Sequence, residues 1–564
     1  MASTDRIYEI AGEVIGTAQP PPEIPKALTD AVKDDYGLND VVSLVARNKI
    51  DNPIPGLWAA YAILKSDKPT KLPLSDEISE DSGLSTIPEH LSTILPPICS
   101  RADLDEDATD YESLQIKGSL CLHILDSLQT LYPARLSLPP DLLTSITAYT
   151  FPSDPWSTPA AQKTAHALLS RHFHLSEDKS QAKNKAKQED LLTPFITRTI
   201  LHSFLRPLFS AARPSTITPS GRKAEFTTPS RYDAVERENP VSKPWKYNHA
   251  YAVTVFAWAV EHADPPLLSH HWPLYTPVLL TLLDEPHNPL KLRALSLLRA
   301  FWARCPANLL RDTGLAPVFE DAVFPCVLQL PGLTPEDESV VMLEAAYPAL
   351  FDMAGIITGN SPDPTADSDT VTEPQRTSTG AHDRHFTDAQ RKLHDKIVRD
   401  GIMVGYLHAK EHIRLVGLFC EKLRSLVQGL GILAVKYLKD FMPMISEIMT
   451  DPFGTKHPPT LLIANRFLQA ILSSCWPRMP HYCNDIVKIL VLCWLNINDE
   501  DSFPPGSPSP AELRSDLAKT AAMLQTIMKA ANEDMGPRID PIIEKEPGLD
   551  SLFKHKESQH EHQT

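Results

Sequence analysis

The sequence predicts an all-α fold, a solenoid of stacked helix pairs interrupted by Pro/Ser/Thr-rich loops. Three observations predict it. Apolar residues recur at helical spacing through nearly all of the 564 residues. Alternating apolar–polar runs bounded by Asn-Gly or Asp-Gly turns are almost missing, so strands are not expected. Glycine is scarce at 21 and proline abundant at 52, the balance of many helices begun and separated by prolines. A chain this long outgrows a single core, which leaves several domains or one array of repeats.

The helical text is regular. Leu114, Leu120, Cys121, Ile124, Leu125, Leu128 and Leu131 share one broad face. The same spacing runs through Asp190–Phe209, Tyr251–Ala263, Glu411–Leu430 and His481–Leu495. Roughly twenty such segments follow the chain, many of ordinary helix length. Polar text at 66–86, 100–112, 211–243, 357–386 and 497–511 breaks the pattern and cannot bury enough apolar surface to fold. The expected organisation is an N-terminal helical region over 1–210, a flexible linker over 211–242, a central helical block over 243–356, and a second linker over 357–386. A C-terminal helical block over 387–553 and a disordered tail over 554–564 complete it.

Charge and cysteines narrow the function classes. Lys and Arg number 54 against 71 Asp and Glu, a net charge of −17. That surplus argues against nucleic acid, whose binding rests on clustered cations. The run Lys179–Lys187 interleaves its lysines with neutral residues and reads as a solvated loop. Eight unpaired-looking cysteines in apolar text read as reduced thiols. The start, MASTDRIYEIAGEV, lacks a signal-peptide pattern, and no apolar run approaches the roughly 18 residues of a membrane span. The expected location is the cytoplasm, with the nucleus as a second compartment, and no membrane partner.

The central block is the most informative. In the stretch Trp272–Trp302, a helix over Leu274–Leu283 with Pro277 in its early turns meets a corner, Asp284–Pro289, and then a helix over Leu290–Arg304. Leu290, Ala294, Leu297, Leu298 and Phe301 form a stripe that Leu295 and Trp302 widen, enough to face more than one neighbour. Helix pairs buried by the next pair along are the economy of a repeat array. Asp284 with Lys291 or Arg293 matches the general HEAT-repeat corner, an acid and a base bracing the turn, although the spacing is longer than a typical repeat has. Without a nucleophile or metal beside them these charges define no reaction. Further on, Gly314 sits where a helix should end. Thr334 reads as an N-cap, Pro335 as the first helical position, and Glu336 and Asp337 as first-turn acids, ahead of the stripe Val340, Leu343, Tyr347, Leu350 and Phe351.

Candidate sites are therefore surfaces. Trp245 and Trp272 read as residues that begin helices and could anchor a partner, with Lys243 and Lys246 meeting its carboxylates. Local core packing is the competing reading for both tryptophans. Enzymatic patterns are weak. Gly429–Ala434 matches G-x-G-x-x-A, but helical text precedes it where a dinucleotide site needs a strand. Cys475, His481, Cys483 and Cys493 lack the C-x2-C knuckle of a zinc site. His172, His174, His270, His271, His555, His560 and His562 read as surface residues. The phosphate-loop, HExxH and GxSxG motifs do not occur. No catalytic, cofactor-binding or metal-ligating residue is expected.

A chain of spaced motifs carries a resemblance. It comprises KPWK at Lys243–Lys246, Trp258 in the next helix, and WPL at Trp272 leading to a Leu-rich helix and LLD. K-x-R-x-x-x-LL from Lys291, TGL-x-x-VF-x-DA from Thr313, LP-x-LTPE from Leu330 and AYPAL at Ala346–Leu350 follow. Across Lys243–Leu350 these are similar to the Tti-two family, the second Tel-two-interacting protein of the Triple T complex; the N-terminal third and the loops look fungal in character. The resemblance implies a HEAT-like solenoid without enzymatic activity. It implies direct binding to the large first Tel-two-interacting protein, a trimer with Tel-two, and indirect work with Hsp90 and R2TP on phosphatidylinositol-3-kinase-related kinases. Two other classes stay open from the residues alone: an unrelated HEAT/armadillo adaptor of the transport-receptor kind, and a helical enzyme.

Overall fold

The computed structural model describes residues 3–14, 23–32, 36–47, 51–66, 82–99, 110–133, 135–175, 191–210, 240–306, 309, 313–356, 386–500 and 503–553. Among these residues the regular structure is helical, and the β pairing present is an isolated bridge between Cys99 and His249. Most of the expected linkers at 66–86, 100–112, 211–243 and 357–386, the run Lys179–Lys187 and the tail histidines lie outside the described residues.

Helix starts follow local chemistry. Asp264 accepts from the Leu267 amide at 2.8 Å, Thr158 from Ala161 at 3.1 Å and Ser509 from Glu512 at 3.1 Å, each just before a proline at the first helical position. Thr387 and Gln390 close a reciprocal capping box. Gly314 adopts φ +67° after a helical Thr313, the left-handed stop that a side chain would strain.

Several boundaries differ from the expectations. Residues 82–86, read as loop, open the helix Ser82–Ile94, because Leu84 and Ile87 bury there with Leu91. The helix read as Leu274–Leu283 begins nine residues earlier, at Pro265, since Asp264 caps it and both Pro273 and Pro277 are absorbed inside. The helix after Thr334 spans Glu336–Met353. Pro335, extended at ψ 146°, is its N-cap, and no side chain caps it, so the Thr334 cap and the Pro335 first-position assignment shift by one residue. The first-turn acids Glu336, Asp337 and Glu338 supply the favourable charge instead. Phe195–Leu205 and Ile397–Met403 are π-helical, which apolar spacing alone does not reveal.

The chain packs as two compact units, Met1–Asp284 with Ala300–Leu315, and Glu285–Arg299 with Ala316–Thr564. The division passes through the corner and the helix Asn288–Arg304, not through the Pro/Ser/Thr-rich text that suggested three blocks. Within each unit the helices alternate between two layers, the order of a helical solenoid. In the first unit, Ile54–Leu64, Tyr111–Leu131 and Pro159–Phe173 pack in sequence, while Leu38–Ala46, Ser82–Ile94 and Pro140–Thr147 form the other row. Every residue of Ile54–Leu64 is buried, as its apolar character on all sides requires. In the second unit, Ile413–Leu430, Pro458–Ser474 and Pro510–Ala530 form one row, and Leu438–Thr450 packs on Met479–Asn498 in the other. A buried polar cluster ties two members of the first row. Asn465 donates to Asp516 at 2.8 Å and accepts from Thr520 at 2.9 Å, while Gln469 donates to Thr520 at 3.0 Å.

Candidate partner-binding surface

The tryptophans singled out in the sequence lie inside. Trp245, on the short helix Pro244–Tyr247, is 0% exposed and stacks on Phe209 with ring centres 5.0 Å apart and planes 11° apart. Lys246 beside it is 3% exposed, and Lys243 is half-buried at the helix start. Trp272 lies buried well within Pro265–Leu283 instead of beginning a helix. Trp258 joins Phe195 at 5.8 Å, Phe173 at 5.9 Å and His262 at 4.3 Å in an aromatic core. These placements correct the surface-anchor reading of Trp245, Lys246 and Trp272: each side chain already spends its area within its own unit.

At the corner, Asp284 ends the helix and is exposed, whereas Glu285 is 1% exposed. The acid taken inside is thus the neighbour of the one the repeat pattern singled out. Lys291 lies where its charge opposes the upward push that burial gives the Cys326 thiol. Arg293 is half-buried on the same helix turn.

Chemistry-bearing groups are held inert. Burial pushes the Cys420, Cys475 and Cys493 thiols up to about 12, so the nucleophilic thiolate is withheld. Among the described residues, no group of three or more His, Cys, Asp or Glu side chains is placed to hold a metal ion. Gly429 and Gly431 lie at the junction of Ile413–Leu430 with the 3-10 turn Gly431–Tyr437, a helix-to-helix passage with no strand ahead of it.

What the second unit does present is an edge where helix starts stand side by side. His412 Nδ1 meets Glu336 Oε2 at 2.9 Å, and Arg414 pairs with Asp337, joining the start of Ile413–Leu430 to that of Glu336–Met353. The Thr460 hydroxyl donates to the Ile413 carbonyl at 3.3 Å, adding the start of Pro458–Ser474 to the same edge. The turns beneath are braced: Lys456 and Thr455 reach Glu500 at 2.8 and 2.9 Å, and Tyr406 and Lys410 reach Glu447 at 2.8 and 3.0 Å. Lys410 and Tyr406 hold the Glu447 carboxyl below its ordinary value. Around these fixed charges the edge exposes large apolar side chains: Leu333 is 92% exposed, Phe453 78% and Leu407 66%, and Ile413 at the helix start is 37% exposed. Apolar anchors among ordered charges are what a docked partner covers.

A model of the Tti2 family matches residues 142–456, just over half the chain, a stretch that includes the exposed Leu333, Leu407 and Phe453 but ends before Thr460 and Glu500. The chain belongs to the Tti2 family. The match reaches well beyond the motif-bearing stretch Lys243–Leu350 on both sides. Tti2 membership supports a Triple T subunit role in general, and with it a life spent in protein–protein contacts. No curated protein matches the sequence. Among solved structures the crystal structure of Kap121p is similar at 12% identity and a TM-score of 0.36, over 96% of this chain and 47% of that one. This chain therefore spans about half the length of Kap121p. An engineered protein is similar at 12% identity and TM-score 0.36, over 93% and 94% of the two chains. Importin beta is similar at 10% and 0.30, over 97% and 80%. At these values the likeness carries no argument about cargo or any other activity of this Tti2-family chain.

Proposed function

We propose that this protein is a non-enzymatic scaffold subunit of the Triple T complex, which binds the large first Tel-two-interacting protein directly and Tel-two through it. On this reading it supports Hsp90- and R2TP-dependent folding, stability and assembly of phosphatidylinositol-3-kinase-related kinases, in the cytoplasm and the nucleus. The observation that carries the reading is the braced edge whose exposed Leu333, Leu407 and Phe453 lie inside the stretch matched by the family. A catalyst aligns ionisable groups in an enclosed site; here ordered ion pairs frame apolar side chains at the surface.

The test is affinity purification of the chain from its own cells at physiological salt. The expected recovery is two large helical proteins in stoichiometric amount, with kinases and chaperone in lesser amount. The double variant Leu407→Asp plus Phe453→Asp should cut that recovery by about tenfold or more, since hot-spot truncations cost upward of 1.4 kcal/mol, with helicity unchanged. Recovery of a Ran-type GTPase and import cargo in their place would identify a transport adaptor and overturn the proposal.

A further inference from the structure

A second surface lies at the opposite end of Pro458–Ser474. There Leu472, Trp476, Lys519, Ala522, Met523 and Ile527 line an open groove of about 580 Å³ between that helix and Pro510–Ala530. Trp476 is 55% exposed, although it follows a helix whose other large apolar residues are largely buried. The groove lies outside the stretch matched by the family.

We infer that this groove takes one amphipathic helix of a partner protein, with its apolar stripe on Trp476, Met523 and Ile527 and its flanking carboxylates on Lys519 and Arg478. This rests on the reading of the chain as a binding subunit and names the chemistry of one bound element. The groove is walled by two adjacent helices of one solenoid row, and a third helix laid between such walls is the ordinary way an apolar trough is filled. Charge selects the occupant. The chain as a whole carries −17, yet the groove lining holds one cation and no carboxylate, and Arg478 is exposed two residues beyond Trp476. Among the described residues neither the groove's Lys519 nor Arg478, which lies outside the lining but two residues from Trp476, has a carboxylate within ion-pair distance, so both charges are open to added acids. A second copy of this chain is the wrong occupant. A two-fold axis through the groove would set its two cations against those of the other copy, like charge on like.

The experiment uses the full chain and two labelled helical peptides that share one Leu stripe, flanked by Glu in one and by Lys in the other. Fluorescence anisotropy at physiological salt reads the affinity. The Glu-flanked peptide should bind about tenfold tighter or more than the Lys-flanked one, about 1.4 kcal/mol. Trp476→Ala should weaken it by a similar factor, and the surface variant Arg478→Glu plus Lys519→Glu should reverse the preference. Equal binding of both peptides, no binding, or indifference to both variants overturns the inference. Self-association on size-exclusion chromatography that Trp476→Ala abolishes would assign the groove to a second copy and overturn it equally. If the large partners still co-purify while the peptides fail, the groove assignment alone falls; if the partners are lost too, the binding-subunit reading falls with it.

Discussion

Two tryptophan regions of this chain invite comparison. Trp245 and Trp476 each sit beside a proline at a helix end and a cation one or two residues away. Trp245 stacks flat on Phe209 and is wholly buried, whereas Trp476 stands half out of its unit in an open groove. The difference lies in the neighbour, not in the local sequence. Trp245 has an aromatic partner supplied from 36 residues upstream, while Pro458–Ser474 and Pro510–Ala530 leave Trp476 in an open groove between them. A solenoid saturates its interior rows and leaves its margins for other chains.

The sharpest way to break the comparison is truncation. Trp245→Ala should cost about 3–5 kcal/mol of unfolding free energy, the range of large aromatic deletions in a core. Trp476→Ala should cost less than about 1 kcal/mol, as surface changes do. Denaturant unfolding of the two purified variants checks this, and equal losses would show that burial does not separate the regions. Next in size is Asn465→Leu, which removes the 2.8 Å donor to buried Asp516 and should cost about 2 kcal/mol. Because that bond holds together the two helices walling the groove, the same variant should weaken binding of the Glu-flanked peptide.

Acid should act on buried histidine in the second unit. His394 lies 2.9 Å from the Ala354 carbonyl with Phe386 edge-on at 4.7 Å, and burial lowers its pKa from 6.5 despite that bond. The unfolded chain therefore takes up the proton first. Stability is intact above pH 6.5 and falls as pH drops through it toward the lower folded value. Thermal unfolding against pH should show this decline, and His394→Gln should flatten it. The smallest effect belongs to Arg299→Ala, which removes the 2.7 Å pair with Asp352. Both side chains are partly exposed, so the loss should stay below about 1 kcal/mol and shrink further in salt, read by the same unfolding assay.

Much of the fold was legible in the sequence because helices announce themselves locally. Apolar spacing placed Tyr111–Leu131 and Ile413–Leu430, and Gly314 ended a helix where expected. The spaced motifs from Lys243 to Leu350 carried the family. Boundaries set by prolines were harder: Pro273 and Pro277 look like breakers, yet the helix from Pro265 runs through both. The surface was least legible, because it depends on partners distant in sequence. His412 and Glu336 are 76 residues apart, as are Lys396 and Glu320, and no local pattern links them. Glu336 was read as a helix-start acid, and only its pairing shows that it also joins two repeats. The dipeptide Trp-Pro occurs at Trp272 and at Trp476, once buried and once exposed, so the residue types alone did not say which would face outward.

The central claim is that the margins of the second unit, and not the buried tryptophans of the first, meet other proteins. Hydrogen exchange of the chain alone and within its purified native complex tests this most directly. The account predicts new protection at the turns carrying Leu333, Leu407 and Phe453, with amides around Trp245 unchanged. Protection confined to the Trp245 region, with those turns exchanging as freely as before, would contradict it.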